Sequence, residues 1–166
     1  MDLAPIALFT YKKLAPLKAT VEALKSNNLA EKSELIVFSD GPKKESDTPQ
    51  IEAVRAYIKT ITGFKKITCI FSKNNKGLAK SILEGVTQIL KQNETVIVLE
   101  DDLKTSINFL DFMNESLDFY KDNDKIISIS GYTPPIKVPN NMFMIIILHK
   151  EQVHGVGQPI ERSGKK

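Results

Sequence analysis

The run Val96-Ile97-Val98-Leu99, followed at once by Glu100-Asp101-Asp102, constrains this chain more than any other stretch. Short β-branched apolar runs are the mark of a strand buried on both faces, as in a parallel sheet. Carboxylates cannot follow such a strand into the core, because an unpaired buried charge is very costly to desolvate. They must lie at the strand's carboxyl end, facing water or a cation. In an open α/β sheet that end is where ligands bind.

The rest of the chain supplies the companions such a strand needs. Strands are expected at Pro5 to Thr10, Glu34 to Ser39, Lys66 to Phe71, Thr95 to Leu99 and Ile126 to Ser130. Helical stripes alternate with them: Leu14, Leu17, Val21 and Leu24; a helix from Thr48-Pro49 to about Thr62; Leu78, Ile82, Val86 and Ile89 or Leu90; and Phe109, Leu110, Met113, Leu117 and Tyr120. Thr105 or Ser106 is a candidate cap for the last helix. Strand–helix alternation implies βαβ units, hence an α/β fold of three layers with a mostly parallel sheet.

Composition narrows the function classes. The 166 residues are 42% hydrophobic and 26% charged, an ordinary globular balance with room for one core. A net charge of +3 from scattered lysines, with no basic stripe interleaved with aromatics, argues against nucleic acid. The single cysteine, Cys69, excludes an internal disulfide, suits a reducing compartment, and is expected in the core. No apolar stretch approaches the roughly 20 residues that span a bilayer. Too little sequence precedes the first strand for a signal peptide, so a cytoplasmic protein is expected, with association at the inner membrane face left open.

Three strand ends carry polar groups: Thr10-Tyr11, Ser39-Asp40-Gly41 and Glu100-Asp101-Asp102. In a parallel sheet they converge on one edge. An isolated acidic triplet is as readily a solvated turn, and Asn75-Lys76-Gly77 as readily an ordinary strand–helix turn as a phosphate or ribose site. The convergence favours hard oxygen ligands for Mg²⁺ or Mn²⁺. Unit charges about 4 Å apart interact by roughly 4 kcal/mol at an effective dielectric near 20. Acids beside a bare diphosphate would repel it by that order, and a divalent cation reverses the sign. There is no phosphate-binding glycine loop and no dinucleotide fingerprint after the first strand. The only histidines, His149 and His154, lie near the end of the chain, which disfavours a zinc site or a Ser-His-Asp triad.

Four segments in order, Pro5-Ile6-Ala7-Leu8-Phe9-Thr10-Tyr11, Phe38-Ser39-Asp40-Gly41-Pro42, Asn75-Lys76-Gly77-Leu78-Ala79 and Leu99-Glu100-Asp101-Asp102-Leu103, resemble a GT-A glycosyltransferase of the family 2 type. The Glu-Asp-Asp form is also similar to N-acetylglucosaminyltransferase I. The resemblance covers about residues 4–139. It implies an inverting, metal-dependent transfer of a sugar from a nucleotide diphosphate, a UDP-sugar by family habit, to a hydroxyl of a glycan or other acceptor. It places Thr10 and Asp40 at the nucleoside, with Asp40 near the base, and Lys76 and Gly77 beside the nucleotide. It puts Glu100 and Asp101 at the ribose or sugar, and makes Asp102 the direct ligand of Mn²⁺ or Mg²⁺. The catalytic base is expected in sequence after the fifth strand. The alternatives are a non-catalytic nucleotide-diphosphate-binding module, a sugar nucleotidylyltransferase, whose glycine-rich loop is missing, and an inactive truncated remnant.

Residues 140–166 break the pattern. Met142 to Leu148 is apolar without alternation, and His149 to Lys166 has no period. The resemblance leads one to expect Ser-Ser-Trp-Gly-Trp-Ala-Thr there, yet the chain has no Trp. His154-Gly155-Val156-Gly157-Gln158 is encoded by CAY GGN GTN GGN CAR, and displacement by two bases reads YGG NGT NGG NCA, which permits Trp-Gly-Trp-Ala. The expectation is a nucleotide-binding domain over 1–139, followed by a tail read in a shifted frame from near Asn141, with little or no transfer by the chain as written.

Overall fold

A computed structural model describes residues 2–131. The expected boundary near 139, the tail over 140–166, and His149 and His154 lie outside the described residues. The elements follow in alternation: β1 (Ile6–Thr10), α1 (Leu14–Lys25), β2 (Glu34–Ser39), α2 (Thr48–Ile58), β3 (Lys66–Phe71), α3 (Leu78–Leu90), β4 (Ile97–Glu100) and α4 (Phe109–Tyr120), with short 3-10 turns at Ala30–Lys32 and Glu45–Asp47.

The four strands form one parallel sheet in the order β3-β2-β1-β4. Ala7 pairs with Ile36 on one side and with Val98 on the other, so β1 is central. The chain moves outward from β1 through β2 to β3, then returns to β1's other side as β4. That reversal makes the crevice between the carboxyl ends of β1 and β4 the topological switch point.

Each strand face finds its own layer. Ile6, Leu8, Leu35, Val37, Ile97 and Leu99 pack with Leu17, Val21 and Leu24 of α1, Val54 and Ile58 of α2, and Leu110 and Met113 of α4. The opposite face, with Ala7, Phe9 and Phe38, is covered by α3 through Ile82, Val86 and Ile89. Gly85 lets α3 come this close: a Cβ there would stand 2.8 Å from the Phe9 ring and 3.0 Å from Phe38, which stack with centroids 4.8 Å apart.

Four expectations need correction. Leu78, at the first turn of α3, is 55% exposed and does not face the sheet. Cys69 is exposed, on β3 at the edge of the sheet among the described residues. The amino end of α4 is not capped by Thr105 or Ser106. Asn27, at the foot of α1, accepts the Leu110 N–H at 2.9 Å, while Asn114 accepts the Ala4 N–H at 2.9 Å. Two buried amides thus tie α4 to the end of α1 and to the segment leading into β1. The fifth strand is not formed. The Ile126 N–H closes a turn onto the Asn123 carbonyl, and a Cβ on Gly131 would stand 2.6 Å from the Phe109 ring, so the segment runs beside α4. Among the described residues no strand pairs with β4's outer edge, and Val98 is 39% exposed.

Candidate functional site

Because the sheet is parallel, the carboxyl ends of all four strands share one edge, and the three polar strand ends meet there as expected. At the switch point the Thr10 hydroxyl donates to Asp101 Oδ2 at 2.5 Å, and the Tyr11 N–H donates to the same oxygen at 3.2 Å. Among the described residues Asp101 Oδ1 takes no hydrogen bond. One carboxylate therefore closes the gap between β1 and β4 and keeps an oxygen in reserve.

Asp40, 8% exposed at the end of β2, has a different task. Its carboxylate accepts from the backbone N–H groups of Gly41 (2.8 Å), Lys76 (2.9 Å) and Gly77 (2.9 Å), and from the Asn75 side-chain amide (3.0 Å). Four donors fill the roughly four lone-pair sites of a carboxylate. Asp40 thus folds the β3–α3 loop around itself, and Lys76 and Gly77 are brought to it as backbone. The Lys76 ammonium turns away to Glu84 on α3 at 2.7 Å, and this hydrogen bond holds the Glu84 carboxyl below its usual range.

Two glycines make this approach possible for separate reasons. A Cβ on Gly41 would stand 2.5 Å from the Asn74 carbonyl carbon and 2.7 Å from the Lys73 carbonyl oxygen. Gly77, the N-cap of α3, has φ 78° and ψ 159°, a conformation open essentially to glycine alone.

Two networks outside the expected residues complete the edge. Asp47, 4% exposed, accepts from the Tyr11 hydroxyl and from the Lys12 ammonium, both at 2.8 Å. The Lys12 bond, then the Tyr11 bond, lower the Asp47 carboxyl; the same Asp47 bond raises Lys12, and burial raises the Tyr11 phenol. Arg55, on α2, donates to the carbonyls of Asp40 (3.1 Å) and Ser72 (2.6 Å) and to the Ser39 hydroxyl (3.2 Å). Nothing local in the sequence marks either residue; a charged residue in a short turn or beside the buried face of an amphipathic helix gives no such signal.

The remaining acids diverge. Glu100 is exposed and pairs in register with Phe9, on the α3 side of the sheet. Asp102 is half-exposed, 3.8 Å from the Lys13 ammonium. Among the described residues no three acidic, histidine or cysteine side chains group to hold a metal. A single accessible carboxylate nonetheless suits Mg²⁺-type binding, where the substrate's phosphates and water supply the other ligands.

The profile described as Glycosyl transferase family 2 matches residues 6–152. S. aureus TarS superposes with a TM-score of 0.54 at 16% identity, over 85% of this chain and 24% of that one. A shorter TarS structure, residues 1–349, gives 0.52 at 17% identity, over 85% and 39%. This chain thus spans well under half the length of those relatives. A mannosyltransferase from Pyrobaculum calidifontis, solved with GDP-Man and Mn²⁺, is a looser match at a TM-score of 0.49, with 16% identity over 74% of this chain and 36% of that one. No curated protein matches significantly in sequence.

Proposed function

Given that the chain belongs to glycosyl transferase family 2, we propose that its described residues form the donor half of a nucleotide-sugar glycosyltransferase. The observation that carries this reading is the Thr10–Asp101 bridge at the β1/β4 switch point, flanked by the loop that Asp40 holds. Thr10, Asp40, Lys76 and Gly77 form the nucleoside wall. Asp40 acts through the loop it organises, with the Lys76 and Gly77 backbone as its surface. Asp101, with one oxygen unengaged, faces the ribose or the sugar. Glu100 is assigned to the sugar, from the α3 side. Asp102 is the residue that would hold Mn²⁺ or Mg²⁺. Such a cation neutralises charge on the departing diphosphate. The donor is expected to be a UDP-sugar and the acceptor a hydroxyl, with inversion at the transferred carbon. No helix among the described residues is long and apolar enough to cross a membrane.

The test is calorimetric titration of the protein with UDP and with GDP, with Mn²⁺ or with EDTA. The reading requires binding that depends on the metal and is weakened by Asp102→Asn without a fall in melting temperature. Binding indifferent to both EDTA and Asp102→Asn would refute the metal assignment, and no binding of either nucleotide would refute the donor site. Metal-dependent binding without donor hydrolysis would favour a non-catalytic binding module.

A further inference from the structure

We propose that Arg55 is a positioning residue for the nucleotide wall, acting through Asp40 and the β3–α3 loop. The proposal rests on the donor-site reading above. A guanidinium presents its donors in a rigid fork and cannot lose its charge. Arg55 spends that fork on the carboxyl ends of two adjacent strands. Its Nη2 donates to Ser72 O at 2.6 Å, to Asp40 O at 3.1 Å and, more weakly, to Ser39 O at 3.4 Å, and its Nε donates to the Ser39 hydroxyl at 3.2 Å. The plane also lies against Phe71, with its carbon 5.1 Å from the ring centroid.

These contacts fall where they matter for the loop. Asp40 is the last residue before the turn at Gly41, and Ser72 is where the β3–α3 loop begins. The ladder between β2 and β3 ends with the Ser72 N–H on the Ser39 carbonyl at 3.0 Å. Beyond it, among the described residues, no main-chain hydrogen bond joins the two segments, and Arg55 takes over by gripping the Asp40 carbonyl on one and the Ser72 carbonyl on the other. The grip sets the Asp40 backbone at the distance from which its carboxylate reaches Lys76 N–H and Gly77 N–H, both at 2.9 Å. Arg55 itself bonds to main-chain oxygens and to the Ser39 hydroxyl, and to none of the residues assigned to the diphosphate or sugar. Its influence on a nucleotide passes through the loop.

Lysine cannot reproduce a fork that serves several carbonyls at once. Arg55→Lys keeps the charge, and Arg55→Met keeps the stem. In the full chain, hydrogen exchange of the free protein should quicken by about tenfold or more at the Lys76 and Gly77 amides of Arg55→Lys, equivalent to losing about one charge-assisted bond, with β1 amides unchanged. With UDP and Mn²⁺, both variants should weaken binding by a similar factor. In an Asp40→Asn background the same changes should alter binding by less than about twofold, because the coupled element is already lost. Exchange that quickens equally throughout the sheet, or unchanged Lys76 and Gly77 amides, would overturn the proposal. So would Arg55 and Asp40 effects that simply add. If the parent chain binds no nucleotide, the donor-site reading fails and the functional half of this proposal with it, while the exchange result still decides whether Arg55 positions the loop.

Discussion

Replacing Gly41 by alanine tests the geometry of the proposed nucleotide wall most directly. Its backbone is not in the left-handed region, so alanine carries no torsional penalty there. The whole effect must come from contact. The new Cβ would meet the Asn74 carbonyl carbon at 2.5 Å and the Asn74 and Lys73 oxygens at 2.7 Å each, all of them backbone. Ordinary carbon contacts lie near 3.5–4.0 Å, so residues 73–74 must retreat by about 1 Å. Overpacking of this kind typically costs about 1–3 kcal/mol. The retreat also pulls Lys76 and Gly77 from Asp40, whose bonds to them are both 2.9 Å. Hydrogen bonds to a charged group are worth about 1.5–3 kcal/mol each, so losing one lowers nucleotide affinity by about tenfold or more if the loop is the binding wall. Urea melts followed by titration with UDP and Mn²⁺ would measure both numbers. A Gly41→Ala protein with parental stability and parental affinity would refute the account of the loop.

Gly77→Ala should cost about 1–3 kcal/mol for the opposite reason, since no atom lies within 4 Å of the new Cβ but φ is 78°; a stability loss in urea melts of under a few tenths would contradict this. Asn114→Ala should cost about 1–3 kcal/mol by stranding the buried Ala4 N–H, and the same assay reads it. The Lys12–Asp47 bond makes stability depend on pH at both ends. Asp47 is depressed, so its contribution is present above the unfolded carboxyl value, about 3.9, and is lost as pH falls through the lower folded value. Lys12 is raised, so its contribution is lost only as pH climbs through its folded value above about 10.4. Melting temperatures of Asp47→Asn should therefore fall less steeply than the parent's below about pH 4; parallel curves would remove Asp47 from the explanation. Finally, nucleotide sequence across codons 130–166 should show the displaced frame open through Trp-Gly-Trp-Ala, and a stop codon in that frame would end the frameshift reading.

Chemistry that repeats locally was open to inspection in the chain alone. Continuous apolar runs place β1 to β4, and 3.6-residue apolar stripes place α1 to α4, within a few positions of where they fold, because burial demands apolar residues on every covered face. Carboxylates directly after a buried strand announced the carboxyl edge of the sheet, since desolvation forbids them anywhere deeper. Family membership was likewise visible in four short segments taken in order. Pairings between residues far apart in the chain were not. No period signals that Asn27 caps α4, that Arg55 grips the ends of β2 and β3, or that Asp47 restrains Tyr11 and Lys12. The same gap separates Ile126 to Ser130 from its expected strand: β-propensity is realised only against a neighbour, and only tertiary packing decides whether a neighbour is there. For Asp40, residue type and position indicated a place at the ligand edge, but the fold decided that four donors would fill its carboxylate and turn it into the fastening of a loop. Hydrogen bonds satisfy whichever groups the packing brings within about 3 Å, and that proximity is a property of the folded chain.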